Sequence, residues 1–230
     1  MDTLSVELHA QIFEYACLDD GSTARALALV SHYIHDVAQP FLYQSLAVQG
    51  FIQMHALIAT LTPLPHYLRR IRYLYLSDSS PSAWHHAPFE SPGRILSDAD
   101  MARYEEAQAA AAHLLLLAAP TLEMLAVTAD CLFMGTALIA HLFALQLPHL
   151  RELAVRGFYP FLAGTDGPSM PRLERLHLEG NRSPYGLLDC GGMKETCPAL
   201  EHLAISGVVA AHGFANEVEA VVCRSEGDME

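Results

Sequence analysis

A phrase that recurs four times constrains this chain more than any other feature. It reads x-Pro-x-Leu-x-x-Leu-x-φ, with Val, Leu or Ile at φ. It occupies residues 119–127, 147–155, 170–178 and 197–205. The lead leucines Leu122, Leu150, Leu173 and Leu200 are spaced 28, 23 and 27 residues apart. A unit this short cannot bury its apolar face alone, so such phrases stack on one another to make a continuous core. Apolar residues at 52% of the 230 positions give the chain enough material for that core.

Spacings of roughly 20–29 residues with Leu-x-x-Leu-x-Leu are the leucine-rich-repeat signature. The expected fold class is therefore α/β, a short and irregular solenoid with parallel strands on its concave face and helices on its convex face. Side chains alternate along a strand. The alternation sends Leu74, Leu76, Leu125, Val127, Leu153, Val155, Leu176, Leu178, Leu203 and Ile205 inward. It exposes Tyr73, Tyr75, Ser77, Thr128, Glu152, Arg156, Arg175, His177, Glu179, His202 and Ser206. All of the exposed set except Ser77 and Ser206 are candidate target-binding residues, because Tyr, Arg, His and Glu together suit recognition of a protein surface. Ile71 to Asp78 reads as a first, degenerate repeat, and only Asp130 and Asn181 stand where the common repeat carries asparagine.

Around the repeats the pattern changes. Residues 1–50 read as a small helical domain. In it Asp2, Thr3 and Ser5 offer helix-start chemistry before a stripe of Leu8, Ile12, Phe13, Tyr15 and Ala16. Asp19-Asp20-Gly21-Ser22 is a turn, and Ser22 or Thr23 is placed to cap a second helix carrying Leu27, Val30, Ile34 and Val37 up to Pro40. Residues 51–66 form a linking helix with Phe51, Met54, Leu57, Ile58 and Leu61 on one face, ended by Pro63 and Pro65. The solenoid occupies 67–212, with a long Ser/Pro-rich loop near 77–97. Ser97 and Asp100 open an alanine-rich helix through about Ala118, and another helix is expected over 131–146. Residues 213–230 supply a closing helix and, from Arg224, an acidic frayed tail.

The first segment resembles the F-box. It runs Leu4-Ser-Val-Glu-Leu-His-Ala-Gln-Ile-Phe-Glu-Tyr, then Leu29-Val-Ser, then Ala38-Gln-Pro-Phe-Leu-Tyr43, in the family's order and spacing. Ser5 stands where the family usually has proline. The resemblance covers roughly residues 3–46 and, followed by leucine-rich repeats, matches a layout found in fungal F-box proteins. It implies a non-catalytic substrate receptor of an SCF-type, cullin–RING ubiquitin ligase. In that reading Leu4, Val6, Leu8, Ile12, Phe13, Leu29, Val30, Pro40 and Tyr43 contact the Skp-type adaptor, while the repeats hold a protein target. The competing reading is a leucine-rich-repeat interaction scaffold without a ligase role, its helical start capping the solenoid.

Other chemistries find little support. With 13 Lys and Arg against 26 Asp and Glu, a net charge of −13 disfavours nucleic acid, whose binding rests on a basic face. His32 and His35 on one helix, and His85-His86 in a loop, lack the further ligands a zinc site needs, so no metal or other cofactor is expected. Asp19-Asp20-Gly21 lacks the aspartate of a phosphotransferase motif where Leu18 stands. Cys190-Gly-Gly and Ser183 have no activating base, so no enzyme activity is expected. Asn181-Arg-Ser183 is formally a glycosylation sequon. Arg69, Arg70 and Arg72 read as a solvated repeat edge. No membrane span is expected, because the apolar runs at 107–119 and 131–147 are too short. Five cysteines without a Cys-x-x-Cys pair, and a start without a signal sequence, point to the cytoplasm or nucleus.

Overall fold

In x-Pro-x-Leu, the proline ring presets the backbone for the second position of a β-turn. In the computed structural model three of the repeated phrases close that turn on their lead leucine. The N–H of Leu150, Leu173 and Leu200 donates to the carbonyl of Leu147, Met170 and Cys197 at 3.2–3.3 Å. The turns also stack, with the Leu147 N–H donating to the Ser169 carbonyl and that of Met170 to the Thr196 carbonyl. Each turn delivers the chain into a five-residue strand at the same phase, so the strands align without slip.

The structure describes residues 4–78, 98–129, 132–159, 168–184, 187, 193–209 and 212–227. Six strands form one parallel sheet in chain order: β1 (Ser45–Gln49), β2 (Tyr73–Ser77), β3 (Met124–Thr128), β4 (Glu152–Arg156), β5 (Arg175–Glu179) and β6 (His202–Ser206). Register is exact across all five interfaces. One row runs Leu46, Leu74, Leu125, Leu153, Leu176, Leu203, and a second runs Val48, Leu76, Val127, Val155, Leu178, Ile205. Behind these rows pack α4 (Phe51–Leu61), α5 (Asp98–Ala118) and α6 (Leu132–Ala144), through residues such as Met54, Leu61, Leu114, Leu115, Ile139 and Leu142. A short α7 (Met193–Thr196) precedes β6, and α8 (His212–Gly227) follows it. No described helix is long and apolar enough to cross a membrane.

The expected inward residues from Leu74 to Leu178 are buried, whereas Leu203 and Ile205 are only half-buried, because β6 has a strand on one side alone among the described residues. Ser77, expected to be exposed, is buried at the end of β2. Asn181 is also buried, and its side chain spans the backbone of Tyr159. It donates to that carbonyl at 2.9 Å and accepts from that N–H at 3.2 Å, which removes it from the surface a glycosylation site needs. Beside it, Gly180 (φ +131°) could carry no Cβ, which would lie 2.2 Å from the Gly157 carbonyl oxygen.

At the N-terminus, α1 (Val6–Ala16), α2 (Ser22–Ala28) and α3 (His32–Ala38) enclose a second core of Phe13, Cys17, Ala24, Ile34, Val37, Ala38 and Phe41. Four expectations change here. The second helix is two, because the Ser31 side chain accepts the Ile34 N–H and starts α3 afresh after Leu29 and Val30. The N-cap of α2 is Gly21 instead of Ser22 or Thr23, and the first-turn N–H of Thr23 is accepted by the Asp19 carboxylate. The α1 stripe is divided: Phe13 and His9 face the core, while Leu8, Ile12 and Tyr15 face outward. Finally, residues 45–49, read as part of the helical domain, are the first strand of the sheet. At the other end, α8 continues to Gly227 through part of the expected frayed tail. The loop over 79–97, the Ser97 cap, Asp130, His85-His86 and Cys190 lie outside the described residues, as do Asp2 and Thr3.

Leu153→Ala and Leu176→Ala are each expected to lower unfolding free energy by about 2–5 kcal/mol in urea titrations, and Leu203→Ala by less than half as much. Asn181→Ala is expected to cost about 1–3 kcal/mol, because it strands two buried backbone groups of Tyr159 without partners. Equal effects at Leu176 and Leu203 would contradict the burial gradient.

Candidate functional site

The face of the sheet opposite the helices carries three further rows. The first runs Ser45, Tyr73, Met124, Glu152, Arg175, His202; the second Ala47, Tyr75, Ala126, Ala154, His177, Ala204; the third Gln49, Ser77, Thr128, Arg156, Glu179, Ser206. Together the first two line a groove of about 740 Å³ that crosses all six strands. One end is bounded by Leu18, Asp19 and Asp20 from the loop after α1, the other by His202 and Ala204. Every candidate target-binding residue lies on this face. Arg156, Arg175, His177 and His202 are exposed, and Tyr73, Tyr75, Thr128, Glu152 and Glu179 are half-buried.

Charges on this face are partly paired. Arg175 bonds Glu152, Arg156 approaches Glu179 at 3.9 Å, and His177 Nε2 lies 2.9 Å from Ser206 Oγ. Such exposed pairs add little stability and orient the side chains. Tyr75 reaches toward Thr128 with its hydroxyl 3.5 Å from Oγ1.

A second surface lies on the helical unit. Leu8, Ile12 and Tyr15 fall on one exposed face of α1 at helical spacing, and Leu4, just before the helix, and Val6 are also exposed. Leu29, 88% exposed, and Val30 project from the α2–α3 junction. Of the residues expected to meet an adaptor, these six of the nine are free to do so: Leu4, Val6, Leu8, Ile12, Leu29 and Val30. Phe13 is not, because it is 5% exposed in the helical core; Tyr43 is half-buried against the sheet's core, and Pro40 is half-buried in a 3-10 turn.

The two surfaces are joined by residues the sequence pattern did not single out. Arg72, read as solvated, makes a two-pronged contact with Glu123 at 2.8 and 3.0 Å, and its remaining nitrogen donates to Glu14 on α1 at 2.8 Å. Its guanidinium also lies 5.4 Å from the Tyr73 ring centre. Gln44 Nε2 donates to the Glu14 carbonyl, and Ser45 Oγ donates to that of Leu18. The sequence clue to this joint is an arginine two positions before Leu74, matched two positions before Leu74's partner Leu125 by the anion it needs, Glu123.

Among the described residues no group of three or more His, Cys, Asp or Glu could hold a metal ion. His35 pairs with neighbouring Asp36 at 3.2 Å. Burial raises the thiol of Cys197 to about 11 and that of Cys17 above its ordinary range, disfavouring the nucleophilic thiolate. No protein-family model matches the chain, and no curated protein or solved structure does.

Asp19 sets a pH dependence. The Thr23 hydroxyl, then that of Ser22 and the N–H groups of Thr23 and Gly21, hold its carboxyl at about 2, against 3.8 ordinarily. A depressed carboxyl stabilises the fold fully above its unfolded value, and that contribution fades as pH falls toward the folded one. Thermal melts are expected to show the parent losing more stability than Asp19→Asn between pH 4 and pH 2. Parallel losses would contradict the role assigned to Asp19.

Proposed function

We propose that the chain is a non-catalytic receptor of an SCF-type ubiquitin ligase: an F-box unit binding a Skp-type adaptor, joined to a short leucine-rich-repeat solenoid that holds a protein target on its sheet face. The observation that carries this reading is the exposed apolar ridge of Leu4, Leu8, Ile12 and Tyr15, with Leu29 and Val30, on a helical unit whose own core is complete without them. Large apolar side chains left outside a finished core suit a protein interface. The leucine rows and the repeated proline turn support the solenoid, and the resemblance of residues 3–46 to the F-box supports the adaptor. Reduced, buried Cys17 and Cys197 suit a cytoplasmic or nuclear setting.

The chemistry is proximity. A target held in the groove sits at high effective concentration near the ubiquitin-carrying subunit, and the receptor itself moves no proton and breaks no bond.

Calorimetric titration of purified Skp-type adaptor into the full chain is expected to give submicromolar binding. Leu8→Asp with Ile12→Asp should weaken it more than about tenfold while leaving circular dichroism unchanged, since both side chains are exposed. A folded parent that does not bind would overturn the ligase reading.

A further inference from the structure

The groove's central row is nearly free of side chains: Ala47, Ala126, Ala154 and Ala204 floor it, and Tyr75 and His177 stand as posts three strands apart. Between the posts, the floor continues past Ala126 and Ala154 into a hollow of about 80 Å³ bounded by Thr128, Arg156 and Glu179. Side chains no larger than methyl let another backbone come close, while the flanking rows rise on either side. The groove is thus a trough running across the strands.

Its length is set by strand spacing. Five gaps of about 4.8 Å make roughly 24 Å, which an extended chain rising about 3.3 Å per residue crosses in about seven residues. Its charge is uneven. Asp19, Asp20 and Glu152 line it against the single guanidinium of Arg175, which Glu152 already engages. Asp19 and Asp20 stand together at the β1 end, where no Lys or Arg lines the groove. Asp19 is held within its own turn by four hydrogen bonds, while among the described residues exposed Asp20 accepts only the Ser22 N–H at 3.1 Å and has a free oxygen.

We propose that the trough takes an extended peptide segment of about seven residues lying across the strands. Its Lys or Arg side chain sits against Asp20, with the charge of Asp19 beside it, and its small or aliphatic residues lie over Ala126 and Ala154 between Tyr75 and His177. This rests on the reading of the sheet face as the target site, and it names the chemistry that face selects. An acidic peptide or a nucleic acid strand meets two carboxylates and no lining cation at the β1 end and is disfavoured there.

The test is a phage-displayed random heptapeptide library panned on the immobilised full chain, with affinities of synthetic, fluorescein-labelled winners measured by polarisation. Winners are expected to carry Lys or Arg near one end, followed by small or aliphatic residues. Asp20→Lys, an exposed change, should weaken them at least fivefold, and Ala126→Arg with Ala154→Arg, which fills the trough, at least tenfold. Circular dichroism checks that each variant is folded, and Asp20→Lys decides alone if the double variant is not. Acidic or uncharged winners that still lose binding in the filled trough would overturn the charge assignment and leave the face as the target site. Winners indifferent to the filled trough would overturn the use of this face altogether, and so would the absence of any enriched sequence.

Discussion

Register is the constraint on which everything else in this molecule depends. Because side chains alternate with a period of two, a slip of one residue at any interface would bring a row of leucines onto the open face and send Glu152, Arg175 and His177 into the core. The proline turns prevent such a slip by starting successive strands at equivalent points, and the buried leucine and valine rows penalise it. Gly180 and Asn181 hold the same alignment beyond the strand ends, one by having no Cβ where neighbouring backbones touch, the other by pairing with Tyr159. A single alignment thereby builds the core on one face and the groove on the other.

Much of this could be read from the residues because the repeat states it openly. Strands β2 to β6 and most of their buried side chains follow from Leu-x-Leu alternation alone. Strand β1 escaped for a definable reason. Gln39-Pro40-Phe41-Leu42 makes the same proline turn, with the Leu42 N–H donating to the Gln39 carbonyl at 3.3 Å. One additional residue then separates Leu42 from Leu46, and the phrase no longer matches by spacing. The helical unit was harder still. Its apolar positions serve two purposes, and periodicity cannot tell Phe13, which closes the core, from Ile12, which faces out. The break at Leu29 and Val30 was concealed because Leu27, Val30, Ile34 and Val37 fit one continuous helix; only the Ser31 cap divides it. Of the site, the rows on the open face were legible, but the alanine floor was not, since alanine carries no signal until register places four of them in line.

The joint between the two units shows how contacts distant in sequence arise from ordinary residues. Arg72 lies 58 positions from Glu14 and 51 from Glu123, and its partly buried guanidinium uses both. A planar fork with several donors suits this duty in a way that a lysine would not. The loop after α1 then forms the β1 end of the groove, so the acidic corner of that groove belongs to the helical unit. The exposed apolar ridge of α1 and the groove on the sheet thus meet through residues 14–20.

Pairing in chain order has a mechanical consequence. Among the described residues each strand pairs only with its predecessor and successor, and no strand pairing joins β1 to β6. A small rotation at each of five interfaces therefore adds up along the sheet, as deflection accumulates along a leaf spring. The stiffness of that spring resides in α4, α5 and α6, which abut one another behind the first four strands, whereas the half-covered β6 end lies beyond them. The molecule is in this sense clamped near its helical unit and compliant at its far end.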